Sequence, residues 1–303
     1  MPEPIVAVLA TLDSKEAEAR FACEALRRAG AAPRLVDTSL RPHGARGDLP
    51  GGQLAGAAGR RWEELAGMDR GAAAEVMIAG GRKALSGWLA EGRLAGVLGL
   101  GGANGAHIAC GIMRALPPLL PKVMVSPVAA TAAVQWFVAE SDIVMVPSIG
   151  DLSLNRITRA IIEGAAQGVA AMARGWLERG RARAEEAPLV GVSSFGGTAA
   201  CVSRVEARLR EAGFEVILFH ASGPGGRALE SLARLGELAG VVDVTTHELT
   251  DLLVDGVYSA GEGRLRGAGE AGIPQVVVPG ALDHANFWAG QVPEAYRSRA
   301  FFR

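Results

Sequence analysis

Three of the five histidines, His220, His247 and His284, each stand just after a short apolar run, with Glu248 beside the second and Asp283 beside the third. An imidazole next to a carboxylate is well suited to moving protons near neutral pH. His220, His247, Asp283 and His284 are therefore candidate acid–base groups. The plainer alternative, that these side chains cap backbone groups or face solvent, stays open on sequence alone. No H-x-x-x-H or H-x-H pair occurs, so no metal is assigned. His107 falls in a glycine-rich turn and could touch a ligand there. His43 lies in a polar loop and is expected to be exposed. No G-x-S-x-G elbow offers a nucleophilic serine, and Cys110 and Cys201, among apolar neighbours, are expected to be packed.

A second kind of chemistry is written in glycine. "GLGGANGA" at 99–106, "SSFGGTAA" at 193–200 and "SGPGGRA" at 222–228 each follow an apolar run and lead into a helical pattern. Without a Cβ the backbone can approach a phosphate, and the unpaired amides at a helix start point toward it. Gly101, Gly102, Asn104, Gly105, Gly196, Gly197, Thr198, Gly225 and Gly226 are candidate ligand contacts on this ground. Tight strand-to-helix turns also call for glycine without any ligand. None of the three is a Walker P-loop or a G-x-G-x-x-G followed by a ribose-reading acid. "TLDSKEAE" at 11–18 adds the hydroxyls of Thr11 and Ser14, the carboxylate of Asp13 and the ammonium of Lys15 at one helix start. Asp13 with Glu16, and Thr245 with Glu248, have capping-box spacing, which accounts for them without a function. Ser126 closes a further apolar run and joins the candidate contacts.

These residues need elements to carry them. Short runs such as Val97–Leu100, Val123–Val125, Val241–Val244 and Val276–Val278 are apolar throughout, the pattern of parallel strands covered on both faces. They alternate with helical stretches, so the expected class is α/β, with two Rossmann-like, doubly wound parallel-sheet domains. Pro4–Gly30 runs parallel to Pro188–Gly213, each ending on a glycine placed as a helix stop, Arg34–Asp37 to Glu215–Phe219, "AGVLGLGG" to "AGVVDVTT" and "LPKVMVSP" to "IPQVVVPG". Four blocks in one order predict an internal duplication with a period of about 184 residues. The expected domains are 1–180 and 188–303, joined by "RARAEEA" at 181–187. Residues 151–180 read as a long helix, capped by Asp151 or Ser153, with an apolar stripe through Leu154, Ile157, Ile161, Ala165, Val169, Met172 and Trp176. Residues 41–59 read as a long loop or mobile lid. In such sheets ligands sit outside the carboxyl ends of the strands, where every candidate above falls. The ligand is expected in a strand-end cleft near the junction of the two halves.

Composition bounds the function. Apolar residues make up 49% of the 303, enough for a large core, while aromatics at 5% point to close packing of small side chains. A formal charge of −1 gives no basic surplus for nucleic acid. Three scattered cysteines suit reduced thiols in a cytoplasmic protein. The first apolar run has no basic region before it and is not expected to be a signal peptide, and no stretch reaches the ~20 apolar residues of a membrane helix. The expected partners are a small-molecule ligand and further copies of the chain, with neither nucleic acid nor membrane.

"TLDSKEAE", "GVLGLGGANG", "SDIVMVPSIGDLSLNRI", "FHASGPGGRALE", "DVTTHELTDLLVDGVYSAGEGRL" and "AGIPQVVVPGALDHANF" together resemble the tomato mosaic virus resistance protein family. The resemblance runs along nearly the whole chain. It implies two Rossmann-like domains, an ATP site (with Mg²⁺) in the first, and self-association. Carried over by motif, that site would use Thr11, Asp13, Lys15, Gly101, Gly102, Asn104 and Gly105. The family's first glycine turn reads G-G-S-G-G-T, whereas residues 101–106 here read G-G-A-N-G-A, and His247 and His284 stand where Thr or Met is expected. Those departures fit a ligand shifted toward a small carboxylate or carbonyl compound. The alternative function is thus a small-molecule hydrolase or carbon–carbon lyase using the second-half His/Asp groups. A third is a non-catalytic module that binds another protein, as the plant relatives do. Those relatives add a carboxy-terminal TIM barrel, and family members continue past "YRSRAFFR".

Overall fold

The structure is a computed structural model that describes residues 3–44, 46–182 and 186–299. The chain divides into two compact units, Met1–Ala184 and Glu185–Arg303. Of the linker read over 181–187, residues 183–185 lie outside the described residues.

The first unit runs β1 (Ile5–Ala10), α1 (Leu12–Arg28), β2 (Ala32–Asp37), α2 (Gly51–Ala57), α3 (Trp62–Leu65), α4 (Arg70–Ala90), β3 (Gly96–Leu100), α5 (Ala103–Met113), β4 (Lys122–Ser126), α6 (Val134–Val138), β5 (Val144–Pro147) and α7 (Arg156–Ala182). Its five strands are all parallel, in the order β2-β1-β3-β4-β5. Successive side chains of a strand point to opposite faces, and both faces here are buried. Val6, Val8 and Ala10 join Leu26, Ile162 and Val169 on the side of α1 and α7. Ala7 and Leu9 join Leu54, Met77, Ile78 and Ile112 on the side of α2, α4 and α5. Small residues bring α4 and α5 together: a Cβ on Gly81 would stand 2.3 Å from Cδ1 of Ile112, and one on Gly111 2.7 Å from Cδ1 of Ile78.

The second unit runs β6 (Leu189–Ser194), α8 (Ala199–Glu211), β7 (Glu215–His220), α9 (Pro224–Arg234), β8 (Gly240–Thr245), α10 (Glu248–Leu253), α11 (Gly267–Ala271) and β9 (Gln275–Gly280). Its parallel sheet has the order β7-β6-β8-β9. Phe219, Leu229, Leu238 and Val241 fill one side, and Val190, Val192, Val202 and Val244 the other. The chain is thus an α/β protein with two parallel sheets. Gly30 and Gly213, the expected helix stops, carry φ of 75° and 87°.

Several local expectations are corrected. Residues 41–59 are not one loose loop: Leu49 bridges Val36 in parallel, and α2 buries Leu54 and Ala55. His43 is not exposed; its Nε2 lies 3.0 Å from Oδ2 of the buried Asp37, and Trp62 packs edge-on at 5.5 Å. The α7 face that packs on the sheet runs through Ile162, Ala165, Ala166, Val169, Ala170 and Ala173, while Ile157 and Met172 are exposed. Of the expected stripe, Ala165 and Val169 lie on that face and Leu154, Ile161 and Trp176 pack against the same core. Asn155 caps α7, its Oδ1 accepting from the amides of Ile157 and Thr158; Asp151 and Ser153 do not. Asp13 caps nothing through its side chain, and the Glu248 carboxylate turns away from its own helix start. Cys110 is buried, its thiol pushed up to about 12 by desolvation, but Cys201 is exposed.

Candidate functional site

The connections of the first sheet reverse direction at β1: β2 lies on one side of it, β3 on the other. Where crossovers part this way, a crevice opens at the carboxyl ends of the two strands. An open cavity of about 890 Å³ lies there, lined by Thr11, Asp13, Ser14 and Lys15 after β1 and by Gly102, Ala103, Asn104 and Gly105 after β3. Arg41, Arg70 and Asp151 reach it from loops and a helix start, and Leu40, Leu65 and Met68 give it an apolar side.

Two helices begin at this cavity, and their amides are used differently. At α1 the amide of Leu12 donates to Oδ1 of Asp37 at 3.4 Å and that of Asp13 to Oγ of Ser39 at 3.1 Å. That helix start is closed by the chain's own acceptors. At α5 the N-cap is Gly102, which has no side chain to accept. Among the described residues no acceptor faces the amides of Ala103, Asn104 and Gly105. Three donors and the positive end of an eleven-residue helix therefore open into a cavity that also holds Lys15, Arg41 and Arg70. The Lys15 ammonium is already tethered, donating to the carbonyl of Leu152. The glycines of this turn differ in purpose. A Cβ on Gly101 would lie 2.8 Å from Cα of Gly105, whereas one on Gly102 would meet nothing within 4 Å. Packing demands the first glycine; space in the cavity is left by the second.

Ser126 lies elsewhere, fully buried, with its Oγ accepting from the amide of Val128 in its own turn. His107 pairs with Glu75 at 3.3 Å and does not line the cavity. Ser14, read with Thr11 at the helix start, does line the cavity; Arg41, Arg70 and Met68 were missed by sequence reasoning, and Asp151 was read only as a cap. None of the missed three has a local signature.

In the second unit the glycine turn at 223–226 is taken by the protein itself. The Glu248 carboxylate accepts from the amides of Gly223 at 2.7 Å and Gly226 at 3.2 Å, where an external anion would sit. A Cβ on Gly226 would strike that carboxylate, and one on Gly225 the carbonyl of His220. Glu248 also receives Nε of Arg264 at 2.7 Å, and the same guanidinium reaches Asp243 and Glu230 at 2.5 and 3.0 Å, all four side chains being buried. Gly196 and Gly197 have open space beside them, and Thr198 bonds to Thr245, Oγ1 to Oγ1, at 2.6 Å.

Two of the four candidate acid–base groups, His220 and His247, lie against aromatic rings. Phe195 lies 5.4 Å from the ring of His220 and 4.3 Å from that of His247, and Tyr258 stands 6.3 Å from His247. His247 is fully buried, and neither ring nitrogen has a hydrogen-bond partner. The nearest carboxylate, Asp251, is 3.9 Å away. Desolvation holds the imidazole below its usual pKa, against the opposing pull of Asp251, so at neutral pH the ring is uncharged. His284 pairs with Asp283 at 3.0 Å, which lowers the carboxyl's pKa through that hydrogen bond. Both line a separate cavity of about 470 Å³. Among the described residues no group of three or more His, Cys, Asp or Glu side chains is placed to hold a metal ion.

Comparison with known proteins gives this arrangement its relatives. The Uncharacterised protein family (UPF0261) N-terminal domain matches residues 4–178, and the C-terminal domain of the same family matches residues 187–303. The chain belongs to the UPF0261 family. A UPF0261 protein of Mesorhizobium japonicum is 40% identical over 299 residues, spanning 97% of this chain and 73% of the relative. One from Clostridium tetani is 37% identical over 307 residues, spanning 98% and 74%. The ToMV resistance protein Tm-1(GCR237) of Solanum lycopersicum is 39% identical over 200 residues, 65% of this chain and 26% of that protein. The resemblance read from the motifs is therefore upheld. Both UPF0261 units carry their candidate residues at strand ends, and no helix among the described residues is long and apolar enough to cross a membrane.

Proposed function

We propose that the first unit of this UPF0261 protein binds a nucleotide, ATP together with Mg²⁺. The observation that carries the reading is the unpaired start of α5, opening into a cavity with three cationic side chains. A phosphate chain is the ligand that uses free amides and cations at once. Asp13 and Asp151, on the same cavity, offer the hard oxygen ligands that a phosphate-bound Mg²⁺ takes beside its waters. The apolar side at Leu40, Leu65 and Met68 suits a base. The size of the cavity, about 890 Å³, lies within the range of cofactor sites. The Asn104 that departs from the family's turn supplies an amide side chain to a ribose hydroxyl or base edge.

The test is thermal unfolding with ATP and Mg²⁺. At a free concentration 100 times Kd the unfolding free energy rises by about 2.7 kcal/mol, which moves the melting temperature by several degrees. An unchanged melting temperature in millimolar ATP and Mg²⁺ sinks the reading.

Two further features belong with it. The shared strand order, β2-β1-β3-β4 and β7-β6-β8-β9, supports an origin of the two Rossmann-like units by duplication. Self-association, implied by the family resemblance, is supported by the apolar groove along β5 and α7.

A further inference from the structure

We propose that the cavity of the second unit is a distinct binding site for a small planar aromatic carboxylate, independent of the nucleotide reading. Aromatic residues are scarce in this chain, 5% overall with only two tyrosines. Both tyrosines, Tyr258 and Tyr296, line this one cavity of about 470 Å³ beside Phe287 and Trp288. Phe287 and Tyr296 are already stacked, their rings 6.0 Å apart and inclined by 23°. Trp288 stays 61% exposed, a large apolar surface left in water at the cavity's edge. Flat aromatic walls select a flat aromatic guest, through stacked and edge-on ring contacts. A single substituted ring fits the volume comfortably.

The charge follows from Arg299. Its guanidinium lines the same cavity, 5.8 Å from the centre of the Tyr296 ring, and forms no ion pair among the described residues. A planar fork of donors held beside a ring is suited to a carboxylate on that ring's plane. The walls are fixed in advance. Buried Asp251 accepts from both the backbone and the side-chain amide of Asn286 at 2.8 Å, and the amide of Val257 donates to the carbonyl of Asn286 at 2.8 Å. Asn286 thus ties both α10, through Asp251, and the Val257–Tyr258 turn, through its own carbonyl, to the segment carrying Phe287 and Trp288, so little ordering cost remains for a guest.

The probe is benzoate, titrated into the full chain and followed by saturation-transfer NMR and tryptophan fluorescence. Saturable binding with Kd below about 5 mM is expected for a ligand this small. Arg299→Gln and Trp288→Ala, both exposed positions that leave the fold intact by unchanged melting temperature, should each weaken it roughly tenfold. Cyclohexanecarboxylate, equally charged but not flat, should bind at least about fivefold more weakly. Lys15→Ala, in the other unit, should leave benzoate binding unchanged. Absence of saturation up to about 10 mM, equal affinity for cyclohexanecarboxylate, or indifference to both cavity substitutions overturns the proposal.

Discussion

His247 shows how much one side chain can report. Its ring is sealed from water between Phe195 and Tyr258 with both nitrogens unpartnered, and desolvation keeps it from taking up a proton. In the unfolded chain the imidazole titrates normally, near 6.5. As pH falls through that value the unfolded state gains a proton that the folded state resists, so stability is lost, and the loss levels off only below the folded pKa. His247→Phe removes this dependence. Urea midpoints at pH 7.5 and 5.5 should show the wild type losing about 1 kcal/mol more than the variant. At pH 7.5 the variant should be no less stable, since no hydrogen bond is broken; equal losses in both proteins would refute the assignment. The glycines of the first cavity make a second contrast. Gly101→Ala forces a Cβ against the backbone of Gly105 and should cost about 1–3 kcal/mol. Gly102→Ala meets open space, so its stability should stay within about 0.5 kcal/mol of wild type. Its ATP affinity, measured by calorimetry, should nevertheless fall about tenfold, because the methyl occupies the approach to the α5 amides. Undiminished affinity would show that no phosphate comes near that turn.

At the scale of elements, the two units treat helix starts alike in one respect: a buried internal carboxylate closes one of them. Asp37 does so for α1 and Glu248 for α9. Glu248 also receives Arg264, which spans to Asp243 and Glu230 and fastens the segment leading into α11 onto the sheet. Glu248→Ala leaves a buried guanidinium short of one partner and two amides unmatched, and should cost about 3–5 kcal/mol in chemical unfolding. A loss below about 1 kcal/mol would mean that water or Asp243 takes over the role. These closures mark the limit of what sequence could reveal. Strand positions and glycine helix stops were legible because apolar runs and C-terminal glycines are local signals. The closure of α9 by Glu248, 22 residues beyond Gly226, was not, because nothing near either residue encodes their meeting. Residues 41–59 misled for the same reason: Gly51 looks like a loop residue until Trp62 is folded against it. Of the first cavity, the two strand-end turns were readable, while Arg41 and Arg70 arrive by tertiary folding alone.

At the scale of the whole molecule, the low net charge of −1 leaves little electrostatic repulsion between copies. The first sheet ends in β5, which pairs with β4 on one side and, among the described residues, with no strand on the other. Open strand edges invite a further strand. Next to this edge runs an apolar groove between β5 and α7, where Ile149 and Met172 are exposed and Gly164 and Gly168 keep the helix surface low. A second copy is the occupant that fits, because an edge strand can pair with its own image across a two-fold axis, each copy seating side chains in the other's groove. The expected mass in solution is therefore a multiple of 31.3 kDa, read by light scattering on a sizing column. Met172→Glu sets a carboxylate into the groove without touching the α7 face that packs on the sheet, so the variant should fold normally and elute as a monomer. Trp176 would be a poor choice, since it packs against both core layers of its unit and its loss would unfold the protein as well as separate copies. A wild type that runs as a monomer at about 100 μM, a concentration at which even weak dimers form, or a Met172→Glu variant that keeps the wild-type mass, would remove this groove as the interface.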